Sequence, residues 1–319
     1  SSATILTSDN SGDGISFQIM KGVKGKLELI KRFERPNSLG LFYQAITQFC
    51  GFAKDSDEYK LMGLSSYGNR KAFDFSWLID FQEGELMINQ NYIYVPQAGA
   101  ASLHKDEMVF NKNFLKKMGA NRRLPNAALT DYYKDVAASA QEHFEIILLK
   151  IVQHFVSLTK LKNICFAGGT ALNCVANQLI SNSKDVEALF VQPASGDAGI
   201  SIGAAWLSCM EKNIPITPPK DSYLGKAYSN KEIEEILNIS QIPYKYIENP
   251  STDAALEIIN NKVVGWFQGA MEFGPRALGN RSILANPGNA AMQELVNSKI
   301  KFRESFRPFC PSLLEEDFA

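Results

Sequence analysis

NICFAGGTALNCVANQLI (163–180) and ALFVQPASGDAGISIGAAWLSCMEK (188–212) repeat one pattern: a short apolar run, a glycine-rich turn, then a helical run. Strand, turn and helix in succession imply an α/β sheet, with the turns gathered at the carboxyl ends of its strands. Open sheets of this kind hold their ligands at that edge. Working outward, residues 131–159 place Val136, Ala140, Phe144, Ile147, Leu148, Ile151 and Phe155 at helical spacing, with Thr130 or Asp131 as the cap. This long helix is expected to pack on the sheet or on another helix. The opening segment, ATILTSDNSGDGISFQIMKG, reads as strand, Gly/Asp turn, strand, and LELIKRF adds a third strand. Residues 38–50 and the start of EYKLMGLSSYG (58–68) have helical spacing, whereas 71–128 give no clear pattern beyond a Gly/Ala/Ser patch near 98–102.

Downstream, the proline-rich NIPITPPKDSYLGKAYS (213–229) reads as a linker, followed by a short helix (230–240) and a new α/β section in which VVGWF is a buried strand. A domain boundary is therefore expected near 220, dividing 1–220 from 221–319.

The chain has 319 residues, enough for two domains, with 33 basic and 34 acidic side chains. So even a balance argues against bulk binding to nucleic acid or an anionic membrane, and confines any anion site to a local cluster. No apolar run reaches the roughly 18 residues a membrane span needs. The five cysteines (Cys50, Cys165, Cys174, Cys209, Cys310) form no CxxC pair or regular framework, which points to reduced thiols and a cytoplasmic setting. Strands begin at once and the chain stops without a tail, so both ends are expected to be cuts through a larger protein. His104, His143 and His154 lack metal-site spacing and are expected to be structural.

Four stretches carry candidate chemistry, each beside a plainer reading. In TSDNSGDG (7–14), Gly12 and Gly14 let backbone N–H groups approach a phosphate, with Asp9 or Asp13 on a metal or hydroxyl; the same residues also make an ordinary hairpin turn. In GGTALNCVAN (168–177), Gly168 and Gly169 open a helix that suits a nucleotide, or simply form a tight turn. Asp197, in SGDAG, stands at the equivalent strand end as a metal or phosphate-side ligand, or as a helix cap. In the last section Arg276, Arg281, Arg303 and Arg307 form one anion pocket or pair with surface acids such as Glu304 and Glu315. Two arginines set among the glycines of MEFGPRALGNRS (271–282) favour the pocket. Arg307, ahead of Pro308, is expected to leave the short helix that carries Arg303.

Together TSDNSGDG, EYKLMGLSSYG, GGTALNCVAN, QPASGDAGISIGAA, MEFGPRALGNRSILANP and FRPFCPS occur in an order that resembles the O-carbamoyltransferases, relatives of nodulation-factor and antibiotic carbamoyltransferases. The resemblance covers nearly the whole chain. It implies a partial transfer domain of the actin/sugar-kinase/Hsp70 fold over 1–220. Part of a smaller α/β adenylate-forming domain would follow over 221–319. It also implies two reactions: carbamoyl phosphate and ATP give carbamoyl-adenylate with release of phosphate and pyrophosphate, and the carbamoyl group then passes to a hydroxyl of a small acceptor.

By the same resemblance, Gly168, Gly169 and Asn173 match an adenosine-binding turn, and Gly12, Asp13 and Gly14 fall in the neighbouring cofactor-side turn. Asp9 and Asp197 match ligands of a divalent iron-type metal, and the four arginines match basic positions of the adenylate-forming domain. The family's upstream HHxxH-type motif is not in this sequence, Asn10 stands where a glycine is expected, and GKAYS (225–229) departs from GPSYS. The expectation is thus a fragment of the enzyme, one that need not be active alone, with the tRNA threonylcarbamoyl transferases and a non-catalytic nucleotide-binding scaffold as the rival readings.

Overall fold

A computed structural model describes residues 2–94 and 107–317. Both His104 and the 98–102 patch lie outside the described residues. The chain divides into two compact units, Ser1–Ile200 and Ser201–Ala319.

The first unit is mixed α/β. In chain order its elements are β1 (Ser2–Gly12), β2 (Ile15–Val23), β3 (Lys26–Glu34), α1 (Leu39–Phe49), α2 (Glu58–Leu64), β4 (Ile79–Gln82), β5 (Glu85–Ile88), α3 (Lys112–Met118), α4 (Asp131–Thr159), β6 (Asn163–Ala167), α5 (Cys174–Ser181) and β7 (Ala188–Val191). The central sheet has the order β3-β2-β1-β6-β7. β1, β2 and β3 run antiparallel through tight connections, while β6 and β7 run parallel to β1. The patternless 71–128 stretch supplies the separate β4–β5 hairpin and α3.

Alternation in β1 buries Thr4, Leu6 and Ser8. All seven of the apolar positions read at helical spacing on α4 are buried. Phe155 of α4 meets Phe33 of β3 edge-on, ring centroids 6.3 Å apart, which fixes helix to sheet. Beside it, the hydroxyls of Thr159 and Thr4 lie 2.6 Å apart, and Thr4 Oγ1 donates to the Leu161 carbonyl at 2.9 Å. Helix α1 is buried on nearly every side. Its N-cap, Ser38, accepts from Leu41 N–H and donates to the carbonyls of Asp9 and Asn10, so α1 starts against the end of β1. A Cβ at Gly40 would fall 2.5 Å from Asn10 N, so only glycine allows this approach. The two histidines are structural: His143 Nε2 bonds the Ile79 carbonyl at 2.8 Å, and His154 packs edge-on against Phe81.

The second unit holds α6 (Ile200–Glu211, its first residue shared with the first unit), α7 (Asn230–Ile239), α8 (Pro250–Ile259), β8 (Val264–Phe267), β9 (Arg281–Leu284) and α9 (Ala291–Leu295). Ser229 and Glu232 form a capping box at α7, and a proline starts α8. β8 and β9 pair antiparallel, but the expected burial of VVGWF is not met: Val264 and Trp266 are half-buried and Phe267 is exposed. A two-stranded ribbon has too little surface of its own to cover both faces.

Candidate functional site

The carboxyl ends of the three parallel strands bring together residues far apart in sequence. β1 ends in a bulge: its register with β2 shifts between Ser8 and Gly12. Bulges re-aim side chains, and Asp9, inside this one, turns its carboxylate to the end of β6. Asp9 Oδ2 accepts from Gly169 N at 2.9 Å and Oδ1 from Asn10 N at 2.7 Å. Each oxygen keeps one lone pair for something else.

The turn after β6 is built for close approach. Gly168 has φ 96° and ψ 168°, a region essentially reserved for glycine. Its N–H donates to the Ser195 carbonyl, beyond β7, at 2.7 Å, and Thr170 Oγ1 donates to the Ser8 carbonyl at 2.9 Å. The ends of β1, β6 and β7 are therefore stitched together around Gly168. Asp197 follows Ser195 on a single 3-10 turn and is exposed.

The glycine pair does not open a helix directly. A 3-10 turn, 169–172, intervenes, and Asn173 caps α5 by accepting from Ala176 N at 3.1 Å. Asn173 is buried, and its amide pairs with that of Gln141 in both directions, at 2.9 and 3.0 Å. Gln141 also accepts from Tyr43 Oη at 2.6 Å and donates to Glu145 Oε1 at 2.9 Å, and Glu145 pairs with Arg70. Burial, reinforced by Glu145 and Glu58, pushes the Tyr43 phenol well up, so it stays neutral as donor. Sequence reasoning missed Gln141, Tyr43 and Glu145. They lie on helices remote in sequence from the turn they brace, and only the helical position of Gln141, on the buried side of α4, hinted at it.

Gly12, Asp13 and Gly14 are exposed. Asp13 and Gly14 have φ of 51° and 82°, a two-residue hairpin turn between β1 and β2. Asp9 stands back from this turn, in the strand. Among the described residues no group of three or more His, Cys, Asp or Glu side chains comes together as a metal site. Asp9 and Asp197 share the rim, but two carboxylates by themselves fall short of a metal centre.

In the second unit Arg276 lies on a loop that Arg281 closes as the first residue of β9, and Arg303 and Arg307 lie on a second loop; each loop is organised by a buried side chain. Glu272 is buried, and its Oε1 accepts from Leu278 N (3.0 Å), Asn280 N (2.8 Å) and Arg281 N (2.9 Å). Burial works against its charge, but these backbone N–H groups outweigh it and hold the carboxyl below the usual glutamate range. Arg281 Nε lies 3.7 Å from Glu272 Oε2. Arg276, by contrast, is exposed and has no ion pair among the described residues.

Asn297, also buried, donates to the carbonyls of Ser305 and Arg307 at 3.2 and 3.0 Å and accepts from Arg303 Nε at 2.7 Å. Arg303 lies over the Phe309 ring, and Arg307 pairs with Glu304. Contrary to expectation, Arg303 is not on a helix: Phe302, at φ 48°, ends the preceding π-helical turn, and both arginines are on the loop.

Two family models match the chain. Carbamoyltransferase N-terminus matches residues 2–206, and Carbamoyltransferase C-terminus matches residues 255–319. An uncharacterized protein of Synechocystis sp. is 39% identical over 98% of the chain and 52% of its own length. Nodulation protein NolNO of Sinorhizobium fredii is 35% identical over 98% of the chain and 44% of its own length. For nodulation protein NolO of Bradyrhizobium diazoefficiens the figures are 34%, 98% and 55%. The chain thus spans about half the length of the curated relatives it matches. With matched segments in both units and an α/β sheet whose strand ends gather the marked residues, the chain belongs to the carbamoyltransferase family.

Proposed function

We propose that this chain serves an ATP-dependent O-carbamoyltransferase. The observation that carries the reading is the meeting of Asp9 with the Gly168–Gly169 turn at the ends of β1 and β6, the edge where α/β sheets bind ligands. In this reading the first unit performs the transfer. The sheet order, a three-stranded antiparallel run extended by two parallel strands, supports assigning it to the actin/sugar-kinase fold. The domain division near 220 belongs to the same proposal. The turn at Gly168 and Gly169 takes the adenosine, with Asn173 shaping it from beneath and the Gly12–Asp13–Gly14 hairpin alongside. Asp9 and Asp197 are two ligands, an incomplete set, for a divalent iron-type metal.

The second unit forms carbamoyl-adenylate. Carbamoyl phosphate, ATP and one water give carbamoyl-adenylate, phosphate and pyrophosphate. Fixed guanidinium charges stabilise the phosphoryl oxygens while the mixed anhydride forms, and Arg276, exposed on an ordered loop, is best suited to this; Arg281, Arg303 and Arg307 complete the basic set. The carbamoyl carbon is then attacked by an acceptor hydroxyl, whose proton is lost as the bond to AMP breaks. The five free cysteines support a cytoplasmic setting.

The test is pyrophosphate release from ATP by the whole reading frame, with and without carbamoyl phosphate and with no acceptor. Release that requires carbamoyl phosphate and falls in Arg276→Ala is the expected result. A folded, ATP-binding protein that releases none sinks the adenylate reading, and an Arg276→Ala variant with full activity removes that residue from it.

A further inference from the structure

We propose that Glu272 is the positioning residue of the 274–281 loop and that it divides the labour of the two arginines: Arg276 meets the phosphate of the donor, and Arg281 serves as counter-charge to Glu272. The inference rests on the preceding reading of this loop as a phosphate site. A loop that binds an anion through its backbone points its N–H groups outward. Here three of them, from Leu278, Asn280 and Arg281, converge inward on a single oxygen of Glu272. These three N–H groups are therefore engaged before any ligand arrives and are not offered to an anion, so the charge that meets it comes from side chains.

The other oxygen, Oε2, is buried with no hydrogen-bond partner among the described residues. Its nearest compensating charge is Arg281, at 3.7 Å. A buried carboxylate stripped of its partner is strongly unfavourable and repels an approaching phosphate. Arg281 is thus committed to Glu272, and Arg276 has its charge to give.

Glutamine at 272 keeps an acceptor oxygen for the three N–H groups and removes the charge; alanine removes both. The whole reading frame would be titrated with inorganic pyrophosphate by calorimetry, and the KM for carbamoyl phosphate measured beside kcat in pyrophosphate release. Arg276→Ala should weaken pyrophosphate about thirtyfold, the loss of one charge-assisted pair. Glu272→Gln should bind at least as tightly as wild type, because Arg281 is released. Glu272→Ala should raise KM about tenfold or more with a smaller change in kcat.

Arg281→Ala should weaken binding, and adding Glu272→Gln to it should restore part of the loss, because the uncompensated carboxylate is gone. That rescue needs no folded alanine variant at 272 and is not expected of a merely structural residue. Equal losses in Glu272→Gln and Glu272→Ala, or an Arg281→Ala defect that Glu272→Gln fails to relieve, would overturn the proposal. If wild type shows this binding pattern but no pyrophosphate release dependent on carbamoyl phosphate, the role of Glu272 stands and the adenylate reading falls.

Discussion

Gly168→Ala is the sharpest probe of the strand-end junction. At φ 96° and ψ 168° an alanine costs about 1–3 kcal/mol in backbone strain. The added Cβ would stand 2.6 Å from the Ser8 carbonyl carbon and 2.8 Å from its nitrogen. Backbone, unlike a flexible side chain, cannot swing aside, so β1 and β6 must separate, at about 1–3 kcal/mol more. Against this, alanine restricts the unfolded chain and returns about 0.4–1 kcal/mol. The net loss is about 3 kcal/mol. With a urea slope of about 2 kcal/mol/M, the midpoint of the transition assigned to the first unit should fall by about 1.5 M, read by far-ultraviolet circular dichroism. Gly12→Ala is the control: a Cβ there meets nothing within 4 Å, and its effect should stay within about 0.5 kcal/mol. Similar effects from the two substitutions would refute the claim that Gly168 is demanded by close approach.

The amide pair of Gln141 and Asn173 should behave as a unit: Asn173→Ala loses the pair and the α5 cap, at about 2–4 kcal/mol, and the double variant with Gln141→Ala should cost about 1–2 kcal/mol less than the sum. Strict additivity in urea unfolding would dissolve that unit. Burial raises the Glu58 carboxyl above its usual range, so the fold favours its protonated form. That contribution is full below the unfolded value and is lost as pH rises through the folded one. Glu58→Gln should therefore gain thermal stability over wild type as pH rises above the ordinary glutamate range, and a difference that does not change with pH would contradict it. Cys50 is buried, which pushes its thiol up to about 12, whereas Cys174 and Cys310 are exposed. An aromatic disulfide reagent should label the latter two in the native protein and reach Cys50 only on unfolding.

The two strand–turn–helix repeats announced the parallel half of the sheet, and alternation in ISFQIM announced the hairpin beside it. These are local periodicities, written in consecutive residues. The helix over 131–159 was legible for the same reason. What periodicity cannot carry is partnership. Asp9 was marked as a site residue, but its bond to Gly169 spans 160 positions. Gln141 looks like any other polar residue of an amphipathic helix, because its value lies in facing Asn173 and Tyr43. In MEFGPRALGNRS the arginines draw attention, while Glu272 carries no signal of its own. Nothing local says that a carboxylate will be enclosed by the loop that follows it. Burial of VVGWF was misjudged because an apolar run states that cover is wanted without supplying it.

Helix α4 is fastened at two levels. Near its start Gln141 grips Asn173, and at its last residue Thr159 meets Thr4 at the opposite end of β1. Eighteen residues of helix separate the two anchors, about 27 Å of rise. Sliding α4 along its axis would break both at once, and rolling it would turn Gln141 away from one partner and Thr159 from the other. Shear between this helix and the sheet, a common mode of closure in packed helices, therefore has to give up both anchors together. Of the elements around the first unit's rim, α2 holds neither anchor and can shift without breaking either.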